Sequence, residues 1–256
     1  MGTFHNSANC DIYIGKGAGK KLLYDISNAR KSVKIISPYL SPSLINELIN
    51  LHSKGISISL VTSDTIEDFS GTYEKNIYKL INQTRVTDNE AQELRNKWIG
   101  IEETLRYIVF GFVAIFIFAL FLFKSFKTLF ILFPLLVFYL SRKIYLNKIK
   151  KKIIYSYFYT QLFLFKVYIS PKNINTFEST FIHGKIYIID DEIVFMGSLN
   201  FTYSGTKDNY ETRIRTIDKI AVDKIVTEYN ELFYHSGYPE RNIQDWGKQL
   251  YEEPIN

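Results

Sequence analysis

FIHGKIYIIDDEIVFMGSLNFTYSG, residues Phe181 to Gly205, decides the fold. GKIYIID reads as one strand with period-two alternation and EIVFMGS as a returning strand, with a short polar turn between them. In an extended segment the side chains of His183 and Lys185, two residues apart, lie on the same side, so both can reach one ligand. Asp190 follows at the strand end, where it braces the turn. Gly197, Ser198 and Asn200 close the second strand.

Working outward, the flanking text keeps the same rhythm. FLFKVYIS upstream and ETRIRTID downstream are further strands. Asp218 is placed to cap a final amphipathic helix built on Ile220, Ile225, Tyr229 and Phe233. The tail beyond Gly237 reads as irregular. Nearer the N-terminus, DIYIG is a short strand and KKLLYDISNARK an amphipathic helix, followed by the strand VKIIS. SPSLINELINLHSKG is a helix with Ser41 as cap and Pro42 at its first position, ending at Gly55. ISISLVTSD is the next strand. This alternation predicts an α/β fold. GKGAGKK near residue 15 lacks the spacing and the Ser or Thr of a phosphate loop, and reads as a turn before a helix.

Two apolar runs interrupt the pattern. Tyr107 to Phe123 and Thr128 to Leu140 carry no charge and have no polar face. As helices they span roughly 25 Å and 20 Å, against a ~30 Å hydrocarbon core. They predict a membrane hairpin, with Pro134 kinking its second arm. Arg95, Lys97 and Arg106 precede it, and Arg142, Lys143, Lys148, Lys150, Lys151 and Lys152 follow, while the turn holds only Lys124 and Lys127. Both flanks therefore belong on the cytoplasmic side. The strand–helix pieces on either side are each too small for a core of their own, and a two-way hairpin leaves them free to pair. The expected organisation is 1–75 and 161–256 as two halves of one domain, a polar helical connector over 76–106, the hairpin over 107–140, and a basic helix (RKIYLNKIKKKIIYSYF) within a connector over 141–160.

Composition bounds the chemistry. A formal charge of +5 suits an anionic partner, either nucleic acid or an acidic membrane surface. The single cysteine, Cys10, excludes an intrachain disulfide and fits a reducing compartment. Four scattered histidines assemble no zinc cluster, and His5, His52 and His235 read as ordinary surface or core residues. The polar MGTFHNSANC is no secretory leader, and Asn6 argues against myristoylation at Gly2.

The HxK–x4–D–x6–GSxN pattern of His183, Lys185, Asp190, Gly197, Ser198 and Asn200 resembles the signature of the phospholipase D superfamily at every defining position. Glu211, in DNYETRIRT, resembles the acidic residue that the family places after the motif to hold its histidine. The stretch from Leu22 to Asp64 resembles the family's N-terminal helix–strand–helix–strand pattern. About half of the chain is covered, and the hairpin lies outside it. The resemblance implies a phospholipase D-like mixed-sheet sandwich, here interrupted by a helical membrane hairpin. It also implies a phosphodiesterase that needs no metal or other cofactor.

The chemistry expected of each residue follows. A neutral His183 attacks phosphorus to form a phosphohistidine that water later cleaves. Lys185 neutralises non-bridging oxygens, and Ser198 and Asn200 donate hydrogen bonds. Glu211 accepts from the other ring N–H of His183. A second histidine must protonate the leaving oxygen. The family supplies it from a second motif, this chain has one HxK, and a homodimer sharing His183 from each copy would complete the site. The anionic phosphodiester is a nucleic acid by the single-motif form and the GSxNFT wording, with membrane phospholipid as the alternative. A non-catalytic membrane scaffold for anionic ligands is a third reading. Nothing in these residues separates DNA from RNA.

Overall fold

In a computed structural model of the chain, residues 2–64, 78–171 and 180–256 are described. The chain divides into two compact units, Met1–Asn82 with Tyr159–Leu250, and Gln83–Phe158 with Tyr251–Asn256. Part of the polar stretch after Ser63, residues 65–77, lies outside the described residues.

The first unit is organised by a seven-stranded mixed sheet. Its strands, in chain order, are β1 (Cys10–Lys16), β2 (Ser32–Ile36), β3 (Ser57–Ser63), β6 (Leu164–Tyr168), β7 (Ile186–Ile189), β8 (Ile193–Gly197) and β9 (Tyr210–Thr216). They lie in the order β1-β9-β8-β7-β2-β3-β6. β2, β3 and β6 run parallel, whereas β7, β8, β9 and β1 form an antiparallel succession joined to β2 through β7. This is an α/β fold with a mixed sheet and helices on both sheet faces.

Alternation assigns the two faces. Ile36, Val61, Ile188 and Val194 point toward α6 (Lys219–His235), packing with Val222, Tyr229 and Phe233. The Tyr229 hydroxyl reaches across to Ser59 Oγ at 2.9 Å. On the opposite face, Arg215 of β9 lies over the Phe195 ring and bonds Asp25 of α1 (Lys20–Ser27) at 3.1 Å. α2 (Pro42–Ser53) packs against β3. Burying an apolar side chain here contributes about 1.5–3 kcal/mol, which fixes the register: a one-residue slip would turn both faces inside out.

Asp218 caps α6 as expected, accepting from the N–H groups of Ile220 and Ala221 at 3.1 Å each. The buried face of that helix differs by a small rotation. Ile220 is exposed, and Ala221 and Val222 take the inward positions beside Tyr229 and Phe233. The tail past Gly237 is not irregular. It forms α7 (Ile243–Leu250), which buries Trp246. The Ser41 hydroxyl makes no capping bond to α2 and instead accepts from Tyr203 N–H at 3.1 Å.

The second unit contains α3 (Asn89–Phe123), α4 (Leu132–Lys151) and most of a two-stranded sheet of β4 (Ile81–Thr87) and β5 (Tyr155–Gln161). α3 is one unbroken helix, capped by Asp88, which accepts from Ala91 N–H at 2.9 Å. α3 and the helical stretch Phe126–Lys151, which adds a short 3-10 segment ahead of α4, are each long and apolar enough to cross a membrane, and few residues of their apolar stretches are buried. Phe112 and Phe138 stack at 5.5 Å between them. The Glu102 carboxylate, 7% exposed, accepts from Arg142 at 2.7 Å. Pro134 does not kink α4: it lies in the first turn, where a missing N–H costs no helical bond.

The basic helix ends earlier than its lysine pattern implies. Lys152 is already extended, and YSYFYTQ is strand β5 rather than helix. Alternating tyrosines and the Arg85 guanidinium over the Tyr155 ring suit a strand pair. β4 itself falls in a stretch with no apolar period, which is why the sequence hides it. The Asn256 side chain donates to the carbonyls of Lys150 and Lys152 at 3.0 Å each, satisfying acceptors at the end of α4.

Candidate active site

The mixed topology brings several segments to one end of the sheet. The carboxyl end of β2 pairs with the start of β7 at Ile36 and Ile186, and the end of β8 pairs with the same residue at Met196. Glu211 enters β9 opposite Gly15 near the end of β1. His183, Lys185, Ser198, Asn200 and Glu211 therefore all belong to this end of the sheet. Asp190 does not. It ends β7 on the far side, about 16 Å along the strand from Lys185 at ~3.3 Å per residue.

His183 and Lys185 precede β7 rather than lying in it, yet they meet. The Lys185 ammonium is 3.0 Å from each ring nitrogen of His183 and 2.9 Å from its carbonyl oxygen. An ammonium only donates, so an imidazole nitrogen paired with it acts as the acceptor. The His183 ring is exposed and lies against Phe181, with centroids 5.3 Å apart. Burial pushes the Lys185 pKa down, while the negative charge of Glu211 acts in the opposite direction.

Ser198 and Glu211 form the second cluster. The Ser198 hydroxyl donates a hydrogen bond to Glu211 Oε2 and accepts from Thr212 N–H at 2.9 Å. Glu211, 8% exposed, also accepts from Asn209 at 3.2 Å. The expected Glu211–His183 hydrogen bond is absent among the described residues, and the carboxylate takes Ser198 and Asn209 instead. Gly197 makes this approach possible, since a Cβ there would overlap the Thr212 carbonyl oxygen.

Asn200 follows on a tightly held loop. Its Oδ1 is buried and has no hydrogen-bond partner, an acceptor in need of a donor. The loop is fixed by residues that the motif does not contain. The Tyr187 hydroxyl donates to Leu199 O at 2.6 Å, and Ser37 Oγ accepts from Phe201 N–H at 2.9 Å. Burial raises the Tyr187 pKa, so this hydroxyl stays protonated. Ser41 N–H donates to Phe201 O at 3.0 Å. Tyr187, Ser37 and Asn209 were missed in the sequence, and Ser41 was read only as a helix cap. For Tyr187 and Ser37 the available signal was a polar tip at a buried position in or next to an apolar strand.

Asp190 is a structural acceptor. Its carboxylate takes the N–H groups of Arg30, Lys31 and Ser32 at 2.7–3.1 Å, joining the end of α1 to β2. Burial pushes its pKa up. The three N–H bonds and the Lys31 charge outweigh that and hold it below the usual aspartate value. Among the described residues, no group of three or more His, Cys, Asp or Glu side chains suits a metal ion.

Residues 138–235 match the family model described as the cardiolipin synthase, PLD-like domain. No curated protein matches the chain. Among solved structures, NucT from Helicobacter pylori is 15% identical over 88% of this chain and 95% of its own, with a TM-score of 0.46. Nuc from Salmonella typhimurium, a phospholipase D family member, is 12% identical over 91% and 99%, with a TM-score of 0.42. Phosphatidylserine synthase from Haemophilus influenzae is 11% identical over 98% of this chain but 44% of its own, with a TM-score of 0.43.

Proposed function

We propose that the chain is a membrane-anchored phosphodiesterase of the phospholipase D superfamily, supported by the family match over residues 138–235, and that it acts through a phosphohistidine on His183. The observation that carries this reading is the meeting of His183 and Lys185 at 3.0 Å, at the sheet end that also receives Asn200 and Glu211. A substrate phosphate draws the Lys185 ammonium to its non-bridging oxygens and leaves the neutral imidazole free to attack phosphorus. Asn200 and the Ser198–Glu211 pair line the approach. Water then cleaves the phosphohistidine and regenerates the imidazole.

The leaving oxygen needs a proton, and this chain offers one HxK. A second copy supplies the donor from its own His183, so the working unit is a homodimer. Exposed apolar surface supports that assembly. Paired positions on β1 and β9 leave Ile12, Ile14 and Tyr210 open at 67%, 58% and 71%, on the face that α6 covers elsewhere. That strip continues to Lys16 and Tyr210, next to Glu211. The apolar lengths of α3 and α4 anchor the chain in a bilayer, and the basic flanks favour a cytoplasmic catalytic domain.

Nucleic acid is the preferred substrate, supported by the +5 charge and the single motif in a short chain. Phospholipid is the second reading, favoured by the exposed hairpin and by the cardiolipin synthase description of the matching family. The test is turnover by detergent-purified protein and its His183→Ala variant, in EDTA, on single-stranded DNA, duplex DNA, RNA and anionic liposomes. Fragment release that requires His183 is the expected result. Head-group release alone reverses the substrate preference, and binding without any turnover leaves a non-catalytic scaffold.

A further inference from the structure

The hairpin's two arms are charged differently where they leave the apolar zone. The contacts of Phe112 with Phe138 and of Glu102 with Arg142 fix an antiparallel register. In that register Tyr107 and Tyr139, exposed at 69% and 50%, fall at the same level. Each stands where its helix passes from apolar to charged text, the place of interfacial aromatics. Beyond this level α3 carries Glu90, Glu93, Glu102 and Glu103 against Arg95, Lys97 and Arg106. α4 carries Arg142, Lys143, Lys148, Lys150 and Lys151 with no acid at all.

Helical side chains lean toward their own N-terminus. α4 runs out of the apolar zone, so its lysines lean back toward the tyrosine level. α3 runs into that zone, so its glutamates lean away from it. Arg142 is occupied by Glu102, while Lys143, Lys150 and Lys151 are exposed and have no acidic partner among the described residues. Lys148 rests over the rings of Trp98 and Tyr145, at 5.7 and 5.1 Å, and remains exposed. Four cations of one helix thus have no acidic partner among the described residues.

Resting on the membrane reading above, we propose that the outgoing end of α4 is a contact surface for anionic phospholipid head groups, recruiting acidic lipid around the hairpin. The attraction is electrostatic and falls off within a Debye length, ~8–10 Å at ordinary salt. The side-chain lean shortens the distance of each ammonium group to that level, and Lys143, about 6 Å along the helix from Tyr139, lies nearest.

The full chain, reconstituted in phosphatidylcholine vesicles, would be probed by electron spin resonance with spin-labelled phosphatidylglycerol and spin-labelled phosphatidylcholine. The expected result is a motionally restricted phosphatidylglycerol population about twofold or more above that of phosphatidylcholine, shrinking as salt is raised. Lys143→Gln, Lys148→Gln, Lys150→Gln and Lys151→Gln in one chain bring the two lipids level. Equal association in the wild-type chain overturns the proposal, as does selectivity that survives the four substitutions. A DNA oligonucleotide whose binding needs these lysines, with no lipid selectivity, overturns it in favour of nucleic acid. Absence of any restricted lipid, of either kind, overturns the membrane reading along with it.

Discussion

The Ser198 hydroxyl donates its hydrogen bond to the Glu211 carboxylate, across the β8–β9 pair. Glu211 is therefore held beside Lys185 by its neighbours rather than by the histidine. Its charge raises the Lys185 pKa, against the burial that lowers it. Glu211→Gln removes the charge and leaves burial unopposed. In the proposed mechanism Lys185 must be protonated to neutralise phosphate, so the alkaline limb of the kcat/KM profile is expected to move to lower pH in that variant. Ser198→Ala keeps the charge, leaves the limb in place, and lowers turnover by about tenfold through a freed carboxylate. An unmoved limb in Glu211→Gln would show that Lys185 does not set it.

The proposed sharing of one site between two copies has a quantitative signature. When wild-type protein is unfolded, mixed with His183→Ala and reassembled, activity falls as the square of the wild-type fraction. An equal mixture retains about a quarter of the activity, since only dimers with both histidines turn over. A linear fall to half would place a complete site in each chain.

Asp190 is a stability residue by its contacts, remote from His183. Asp190→Ala strands three N–H groups at the start of β2, and costs about 2–3 kcal/mol in denaturant unfolding of the chain in detergent. The pH sign follows from its lowered pKa. The stabilisation is complete above the unfolded value of ~3.9 and is lost as pH falls through the folded value below it. Wild-type stability should therefore decline in that acid window, and Asp190→Asn should show a flatter decline. Equal acid slopes would remove Asp190 from the account.

Glu102 and Arg142 pin α3 to α4 through a pair whose acid is buried. Glu102→Ala strands Arg142 and Arg142→Ala strands Glu102, and each costs about 2–4 kcal/mol of thermal stability in detergent. Replacing both, by Leu and Met, recovers most of the loss, because removing two charges avoids the unpaired one. Additive losses in that double variant would mean that the two side chains act independently.

The local patterns were legible wherever one physical constraint dominated. Period-two alternation placed β7, β8 and β9, the Ser41–Pro42 and Asp218 signals placed the starts of α2 and α6, and unbroken apolar text placed the hairpin. Segments governed by weak or competing signals were not legible. YSYFYTQ follows a lysine-rich helix and carries only alternating tyrosines, so its pairing with β4 emerges from cross-strand contacts. Trp246 gives α7 a reason to form only once there is a core to bury it. Ser37 and Tyr187 are ordinary strand residues until the loop around Asn200 is brought to them.

The sequence by itself determined the motif, its spacing, the α/β alternation and the apolar hairpin, because each is a property of residues close together in the chain. Only the tertiary structure decided which side chains hold which. It gave Glu211 to Ser198 and Asn209 instead of His183, sent Asp190 to the far end of the sheet, and laid Lys185 against the imidazole. A carboxylate takes the donors that the folded backbone brings within about 3 Å. That distance is set by strand order and register across residues far apart in sequence, which no local pattern records.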